Sequence, residues 1–525
     1  MTPEEQARLK QMWALFSGHR GAHGLPLGNI GHTSREGWSF RYDVMMESEL
    51  HLAAGDLISA AALRATADQA WFTRLGGPVT IVKDPPATGH VARLQPAEYW
   101  VKNGEVLMDA HNYLHLAASL AQAEPKTGEP GPAMTAEEAL GRARAFFNLV
   151  RSQRDADTGA IPFGPAGPGQ QFPDGVRFQD VKDAPEFQLT YASLAKIWHR
   201  LTGDPQLLQE SQQTYDHFLR IALSSSKDGM RSHIAQEIPG LLFCVTDPDD
   251  LDRFSAEGVD IPALVSGLTE LPVLGHLGVP SFKVDWLAVR ILGLREAAAY
   301  LESRGFGAEA AGARQAHEKL SWLVLNLPLT SEGGWGDAYR LKEELVAEFF
   351  DGRLDPYDPA NYVPAPGTDT GHGWSTDPGA LRTAFLGAGL VALNHNPFKG
   401  QFGSEPIVWE DFRDVFAGFS PAGSSAHLGS DARLENPAPT LRRSTPREPA
   451  VPQSAAVTAA VASPKAETSF ADGDGVADAL YAAQAREEIE AEIRALKGAQ
   501  TEERSRLENI QERIAGLDER IAERI

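Results

Sequence analysis

The feature that most limits how this chain can fold is a repeated pair of amphipathic helices joined by a glycine-containing turn. In the clearest copy, one apolar stripe with helical spacing is formed by Phe187, Tyr191, Leu194, Ala195, Trp198 and Leu201. The segment Gly203-Asp204-Pro205 then predicts a helix end and a new start, because Gly suits the residue after a helix and Pro suits the first turn. A second apolar stripe follows, on Tyr215, Phe218, Leu219 and Leu223. This region therefore predicts an antiparallel helical hairpin.

The same plan recurs along the first 400 or so residues. Further pairs are predicted around Gly55-Asp56, around "SRGFG" at 303–307, and from "DAHNYLHLAASLAQA" through "EEALGRARAFFNLVRSQ". Single helices are predicted from Ala380 and within "DIPALVSGLTEL". Together these patterns predict about ten to twelve helices.

Repeated helical hairpins can stack as an open solenoid or close into a ring. The spacings here vary and the loops between pairs are long and aromatic, as in "DTGAIPF" and "EGGWGD", which favours the ring. Residues 30–400 thus resemble the (α/α) toroid proteins of the six-hairpin glycosidase-like superfamily, with relatives among polysaccharide lyases and sugar epimerases. The resemblance implies an all-α toroid whose loops gather at one end of a central cleft, and such clefts bind carbohydrate.

Composition divides the chain into three predicted parts: a toroid domain over 1–415, a flexible linker over 416–470 and an amphipathic helix over 471–525. The linker is rich in Pro, Ser, Thr and Ala and lacks the large apolar residues that could offset its ordering entropy. The last part carries a heptad seam, broken by Gln500 and Glu503. The seam predicts self-association or binding to a partner helix through 475–525. A single helix docked on the main domain, or a short hairpin, would also hide its apolar face.

Several classes of function are disfavoured by the bulk properties. A net charge of −23 argues against nucleic acid as a partner. No apolar run approaches the length of a transmembrane segment, and no secretory signal is evident, so a cytoplasmic location is predicted, with signal-free export left open. The lone Cys244 excludes an internal disulfide framework and a multi-cysteine zinc site. Two fragments resemble the start of a calcium-binding loop but lack the Glu that closes such a loop, so calcium is not predicted. No other metal or cofactor is predicted.

Sugar sites use flat aromatic faces together with carboxylates and amides. The predicted loops supply aromatic residues, of which half or more would fill the core of the ring. The candidates for substrate binding are Trp38, Trp100, Trp335, Tyr339 and Trp374.

Glycoside hydrolysis needs two carboxyl groups, one of them kept protonated. In "FQDVKDAPEF", Asp183 and Glu186 are catalytic candidates, although their spacing also fits a reciprocal helix cap. In "DAHNYLH", Asp109 and His111 are candidates, the His for proton abstraction by a lyase or epimerase. Other carboxylates considered are Glu47, Glu49, Asp180, Asp285, Asp337 and Asp377, with Asp285 also placed where a cap is common.

The segment "TDTGHGWSTDPG" at 368–379 concentrates polar and turn residues before a predicted helix. Asp377-Pro378 fits an N-cap with Pro at the first position. The pattern gives no such structural role to Asp369, His372 or Trp374. Asp369 and His372 are therefore predicted to be catalytic, and Trp374 is predicted to bind substrate.

These features predict a carbohydrate-active enzyme that works in the central cleft, a hydrolase first and a polysaccharide lyase or epimerase second. The alternative is a non-catalytic scaffold or recognition protein that uses the toroid for binding and the C-terminal helix for assembly.

Overall fold

A computed structural model of the chain describes residues 2–21, 24–30, 38–69, 81–83, 101–123, 131–167, 170–171, 175–222, 237–272, 280–365, 380–399, 401–402 and 405–406. The chain separates into two units, Met1–Leu441 and Arg442–Ile525. Every described residue belongs to the first unit. The predicted linker at 416–470 and helix at 471–525 lie outside the described residues, so both stay predictions.

Fourteen α-helices form within the described residues. They are α1 (Pro3–Ser17), α2 (Arg41–Ala53), α3 (Leu57–Asp68), α4 (Asn103–Gln122), α5 (Ala136–Arg151), α6 (Pro185–Thr202), α7 (Pro205–Ala222), α8 (Ile238–Val245), α9 (Pro248–Ala256), α10 (Ile261–Thr269), α11 (Val284–Ser303), α12 (Gly307–Asn326), α13 (Val346–Phe350) and α14 (Arg382–Ala392). The predicted hairpins are present as α2–α3, α4–α5, α6–α7 and α11–α12.

The turn between α6 and α7 shows why these sequences form hairpins. Gly203 caps α6 in the left-handed region, with φ of 73°, and its N–H donates to the His199 carbonyl. Only Gly adopts this conformation without a steric penalty. Pro205 then begins α7 at a position where its missing N–H costs no helical hydrogen bond.

Six of the helices contact one another in a closed cycle. Around the cycle, each of α2, α4, α6, α8, α11 and α14 packs against the next, and α14 packs back on α2. The other partners of the hairpins lie outside this cycle: α3 on α2, α5 on α4, α7 on α6 and α12 on α11. Helix α10 packs on α8, α11 and α12, while α1 packs on α14. The predicted all-α toroid is therefore confirmed.

The ring is closed by contacts between residues far apart in the sequence. Arg382, the first residue of α14, is completely buried and donates to the carbonyls of Phe16, His19 and Leu27. Its other guanidinium nitrogen pairs with Glu47 of α2 at 2.5 Å. Because a buried charge is tolerated only when paired and hydrogen-bonded, these contacts tie the two ends of the ring together.

Short strands precede several inner helices. The strands are β1 (Asn29–Ile30), β2 (Trp38–Phe40), β3 (Ile81–Lys83), β4 (Ser281–Lys283), β5 (Ala338–Leu341), β6 (Tyr362–Ala365), β7 (Ala380–Leu381), β8 (Gln401–Phe402) and β9 (Glu405–Pro406). All pairings are antiparallel: β1 with β7, β2 with β3, β8 with β9, and β4–β5–β6 in one sheet. Since β2, β4 and β7 lead directly into α2, α11 and α14, these small sheets fix where three inner helices begin.

Candidate active site

The first turns of five inner helices gather at one end of the ring. Asp43 of α2 accepts a hydrogen bond from Thr383 of α14. Gly104 of α4 lies so close to Phe187 of α6 that an added Cβ would stand 2.2 Å from the Phe ring. Asp285 of α11 raises the pKa of both Asp43 and Tyr42 of α2, so its carboxyl lies near them. We call this end of the ring the mouth.

Half-buried side chains mark an opening at the mouth. The inner helices are buried along most of their length, but their first two turns carry positions that solvent still reaches. These positions are Tyr42, Glu105, Met108, Glu186, Asp285, Trp286, Val289 and Thr383. The set combines carboxyl groups with aromatic rings, so the mouth has the composition of a cleft that binds a polar ligand.

Asp285 is a carboxyl group at this opening whose pKa is clearly raised. It is the second residue of α11, and its Oδ1 atom is buried without a hydrogen-bond partner among the described residues. Burial raises the pKa of Asp285 to about 6; the Lys283 cation opposes this and the charge of Asp337 adds to it. A carboxyl group with such a pKa is partly protonated near neutrality and can donate a proton.

Lys283 and Asp337 form a supporting pair beside Asp285. The Lys283 Nζ lies 3.0 Å from the Asp337 Oδ2, and it also lies 5.0 Å from the centre of the Trp286 ring. The lysine is 8% exposed at its side chain. A cation held this rigidly sets the electrostatic environment of the neighbouring carboxyl.

Tyr42 and Asp43 form the α2 side of the mouth. Burial, followed by the charges of Asp285, Asp43 and Glu105, raises the pKa of Tyr42 well above its ordinary value, so its hydroxyl stays protonated and can donate a hydrogen bond. Burial raises the pKa of Asp43 to about 7, although the Thr383 hydrogen bond and the Arg382 charge oppose the shift. Asp43 is completely buried behind Tyr42.

Further into the ring, a second polar cluster joins α2, α4 and the segment after α14. Glu49 accepts from Asn112 and His115 at 2.8 Å and from His395 at 2.9 Å. Burial opposes ionisation, but the charges and hydrogen bonds of the two histidines lower the pKa of Glu49 to about 2. Its oxygens are thus occupied by helix-bridging contacts, and the cluster is structural.

Asp109 and His111 lie in the interior and not at the mouth. Asp109 is completely buried and pairs with Arg41 and with Arg64, the latter at 2.7 Å. Its charge is therefore used to hold α2, α3 and α4 together. Burial, and then the neighbouring His115, lowers the pKa of His111 to about 3, so this ring is neutral. Neither residue is placed to act on a substrate in the mouth.

Of the pair Asp183 and Glu186, the structure places Glu186 at the mouth. The reciprocal cap considered for this pair is absent, because α6 has Ala184 as its N-cap with no side-chain hydrogen bond. Glu186 is half-buried in the first turn of α6. Asp183 is half-buried two residues before the helix.

Two aromatic candidates for substrate binding belong to the core. Trp335 is completely buried and stacks on Phe385 at 6.4 Å between ring centres. Tyr339 is also completely buried, and its hydroxyl donates to the Pro328 carbonyl at 2.6 Å. Both predictions of a sugar-facing side chain are therefore corrected, because neither ring reaches the solvent.

The remaining candidates cannot be placed. Trp38 lies in β2, opposite Lys83, but its side chain is outside the described part. Four candidates lie outside the described residues altogether: Trp100, Asp369, His372 and Trp374, the last three with the rest of the 368–379 segment. Their predicted roles stay predictions.

The sequence patterns missed Tyr42 and Asp43, whereas Asp285 was among the carboxylates considered, at a position where a cap is also common. A signal was available, since α2, α4, α6 and α11 each carry an acidic residue in the first turn: Asp43, Glu105, Glu186 and Asp285. Acidic first turns are common because they complement the helix dipole. Only the closed ring shows that these four turns meet at one end.

Among the described residues, no three His, Cys, Asp or Glu side chains are arranged to hold a metal ion. The same part of the chain contains no helix with the length and apolarity that crossing a bilayer requires.

The closed cycle of inner helices, with the outer helices packed on it, defines the architecture of the described part of the chain: an (α/α) toroid. No protein-family model matches the chain, and no curated protein is similar to it. Among solved structures it is similar to a cellobiose 2-epimerase from Bacillus thermoamylovorans B4167, with a TM-score of 0.46 and 11% identity over 74% of this chain and 98% of that one. It is also similar to a sugar epimerase from a ruminal bacterium (TM-score 0.43, 10% identity, 74% and 98% coverage). A third similar structure is a glycosidase in complex with glucose (0.40, 14%, 75% and 98%). Because these identities and TM-scores are low, the assignment of the toroid fold rests on the helix contacts within this chain.

Proposed function

We propose that the mouth of the ring binds a carbohydrate and that Asp285 acts there as a general acid, with glycoside hydrolysis as the first activity and lyase or epimerase chemistry as the second. The observation that carries the proposal is Asp285: the residue is half-buried at the opening, its Oδ1 atom is buried without a hydrogen-bond partner within the described residues, and its pKa is about 6. Protonating a leaving oxygen requires a carboxyl group of this kind.

A second carboxyl group lies on the opposite side of the ring. In the cycle of six inner helices, α4 is the third helix from α11 in either direction. Glu105 of α4 is therefore across the opening from Asp285 of α11. Glu105 is half-buried, and its Oε1 lies 3.5 Å from the Lys102 Nζ. Two carboxyl groups facing each other across a cleft are what glycoside hydrolysis uses, one as acid and the other as base or nucleophile.

The remaining groups at the mouth suit a sugar. Tyr42 and Trp286 offer aromatic surface to the apolar face of a sugar ring, and the protonated Tyr42 hydroxyl can donate to a sugar oxygen. Glu186 adds a carboxylate that accepts hydrogen bonds from sugar hydroxyls. The toroid alone would not support this proposal, because one fold hosts many activities.

The proposal is tested with a panel of neutral and acidic oligosaccharides and polysaccharides. We expect wild-type protein to release reducing ends from at least one of them, which identifies a hydrolase. Ultraviolet absorbance by an unsaturated product would identify a lyase, and a new sugar isomer in the NMR spectrum would identify an epimerase. If no saccharide is converted and none binds at millimolar concentration, the proposed function is wrong and the scaffold alternative stands.

The dependence of activity on pH gives a prediction with a defined sign. An acid must be protonated to act, so kcat/KM is expected to fall as the pH rises above about 6, the pKa of Asp285. Lys283 lowers that pKa, so Lys283→Met is expected to move the falling limb to higher pH. Lys196→Met, which removes a lysine paired with Asp247 and Asp250 instead, is the control and leaves the limb in place. If the falling limb of the pH profile does not move in Lys283→Met, the general acid is another group, and Asp43 is the next candidate.

A further inference from the structure

A small cavity lies at the base of the mouth, inside the ring. Its volume is about 20 Å³, and it is lined from α2, α4, α8, α11 and α14 and from the segment after α14. Most of its wall is aliphatic, thioether or aromatic, from residues that include Met45, Met46, Met108, Leu292, Leu390 and Phe398. A volume of this size accommodates a single group as large as a water molecule or a methyl.

The cavity shares four lining residues with the opening at the mouth. Tyr42, Met108, Asp285 and Val289 line the cavity, and the same residues are half-buried at the mouth. Phe398 forms part of the wall from the segment that follows α14, with its ring 6.4 Å from that of His111. A group that enters the mouth between Tyr42 and Asp285 therefore has access to this cavity.

The polar side-chain groups in the lining are few. Tyr42 and Asp285 contribute one polar group each, and both belong to the mouth. The third is the thiol of Cys244, which donates to the Val289 carbonyl at 3.6 Å and whose pKa burial raises to about 12. A neutral thiol is a weak hydrogen-bonding group. A sugar hydroxyl pushed below the two polar groups would thus lose its water without gaining a good partner.

We propose that this cavity receives a methyl group carried by the saccharide substrate, either the methyl of an acetamido group or that of a 6-deoxy sugar. The inference rests on the proposed function and adds to it the class of sugar. A methyl group gains from burial in such a wall, whereas a hydroxyl in its place is penalised. A contact of this size in an apolar pocket discriminates between substrates by about 10-fold or more.

The test compares the binding of matched sugars to the full-length protein by NMR titration. L-Fucose is paired with L-galactose, L-rhamnose with L-mannose, and N-acetylglucosamine with N-formylglucosamine, so each pair differs at the methyl position. We expect the methyl-bearing member of at least one pair to bind about 10-fold more tightly. We also expect saturation transfer from the protein to be strongest at its methyl protons. The pair that responds identifies the source of the methyl group.

A variant links the preference to the cavity. Met108→Gln nearly preserves volume and brings an amide into the wall, so the preference for the methyl is expected to fall to about 3-fold or less. Met134→Gln makes the same change at a buried site outside the cavity lining and leaves the preference intact. Equal binding of all three pairs by wild-type protein overturns the cavity assignment while the proposed function stands. Failure of all six monosaccharides to bind also overturns the cavity assignment, whereas the proposed function is overturned only if the panel of oligosaccharides and polysaccharides shows neither conversion nor binding.

Discussion

Replacement of Asp109 by Ala is expected to lower the free energy of unfolding by about 3–5 kcal/mol, because two buried guanidinium groups lose their counter-charge. Asp109 is completely buried on α4, and it pairs with Arg41 of α2 and Arg64 of α3. Arg64 itself is buried, with its guanidinium 4.0 Å from the centre of the Tyr113 ring. Without the carboxylate, neither arginine can reach water without separating α2, α3 and α4.

Urea denaturation followed by tryptophan fluorescence measures this effect. Asp109→Asn keeps the shape of the side chain but removes the charge, so it is also expected to destabilise the protein, to a smaller extent. Asp252→Ala is the control, since Asp252 pairs with Arg304 at the surface and its loss is expected to have little effect. An Asp109→Ala protein as stable as wild type would show that the three helices are held together in another way.

Local features of the fold were predictable from the sequence because they depend on neighbouring residues. Gly203-Asp204-Pro205 ends one helix and begins the next as expected, and the turns at 54–56 and 303–307 do the same. The closed ring was favoured by the variable spacing of the hairpins, by their long aromatic loops and by resemblance, but its closing contacts join residues more than 300 positions apart, as between Arg382 and Glu47. No local pattern specifies such a contact.

The site was harder to predict than the fold, for a physical reason. Inner helices of a toroid are buried on nearly all sides, so apolar periodicity does not show which face meets the cleft. The acidic residues at their first turns have the same pattern as ordinary dipole-complementing residues. Asp285 was considered both as a catalytic carboxylate and as a helix cap, and the pattern did not separate the two roles. The aromatic residues led to the opposite error, because Trp335 and Tyr339 were predicted to bind substrate and are completely buried in the core.

Asp285→Asn is expected to reduce kcat by about 10²–10⁴-fold, the range that removal of a general acid produces. Asn has the same size as Asp, which matters because α14 packs tightly against this part of α11: a Cβ added at Gly387 would stand 3.1 Å from the Asp285 Cα. The variant is therefore expected to fold normally and to bind the saccharide. It cannot supply the proton, because an amide is not a usable acid.

The turnover of Asp285→Asn on the saccharide found with the panel tests the central claim most directly. It is compared with wild type and with Asp252→Asn, which makes the same substitution at a half-buried surface aspartate that pairs with Arg304 outside the mouth. We predict that Asp285→Asn binds the saccharide with an affinity near that of wild type and turns it over at least about 100-fold more slowly, while Asp252→Asn is fully active. Turnover by Asp285→Asn at the wild-type rate would contradict the assignment of the mouth as the active site.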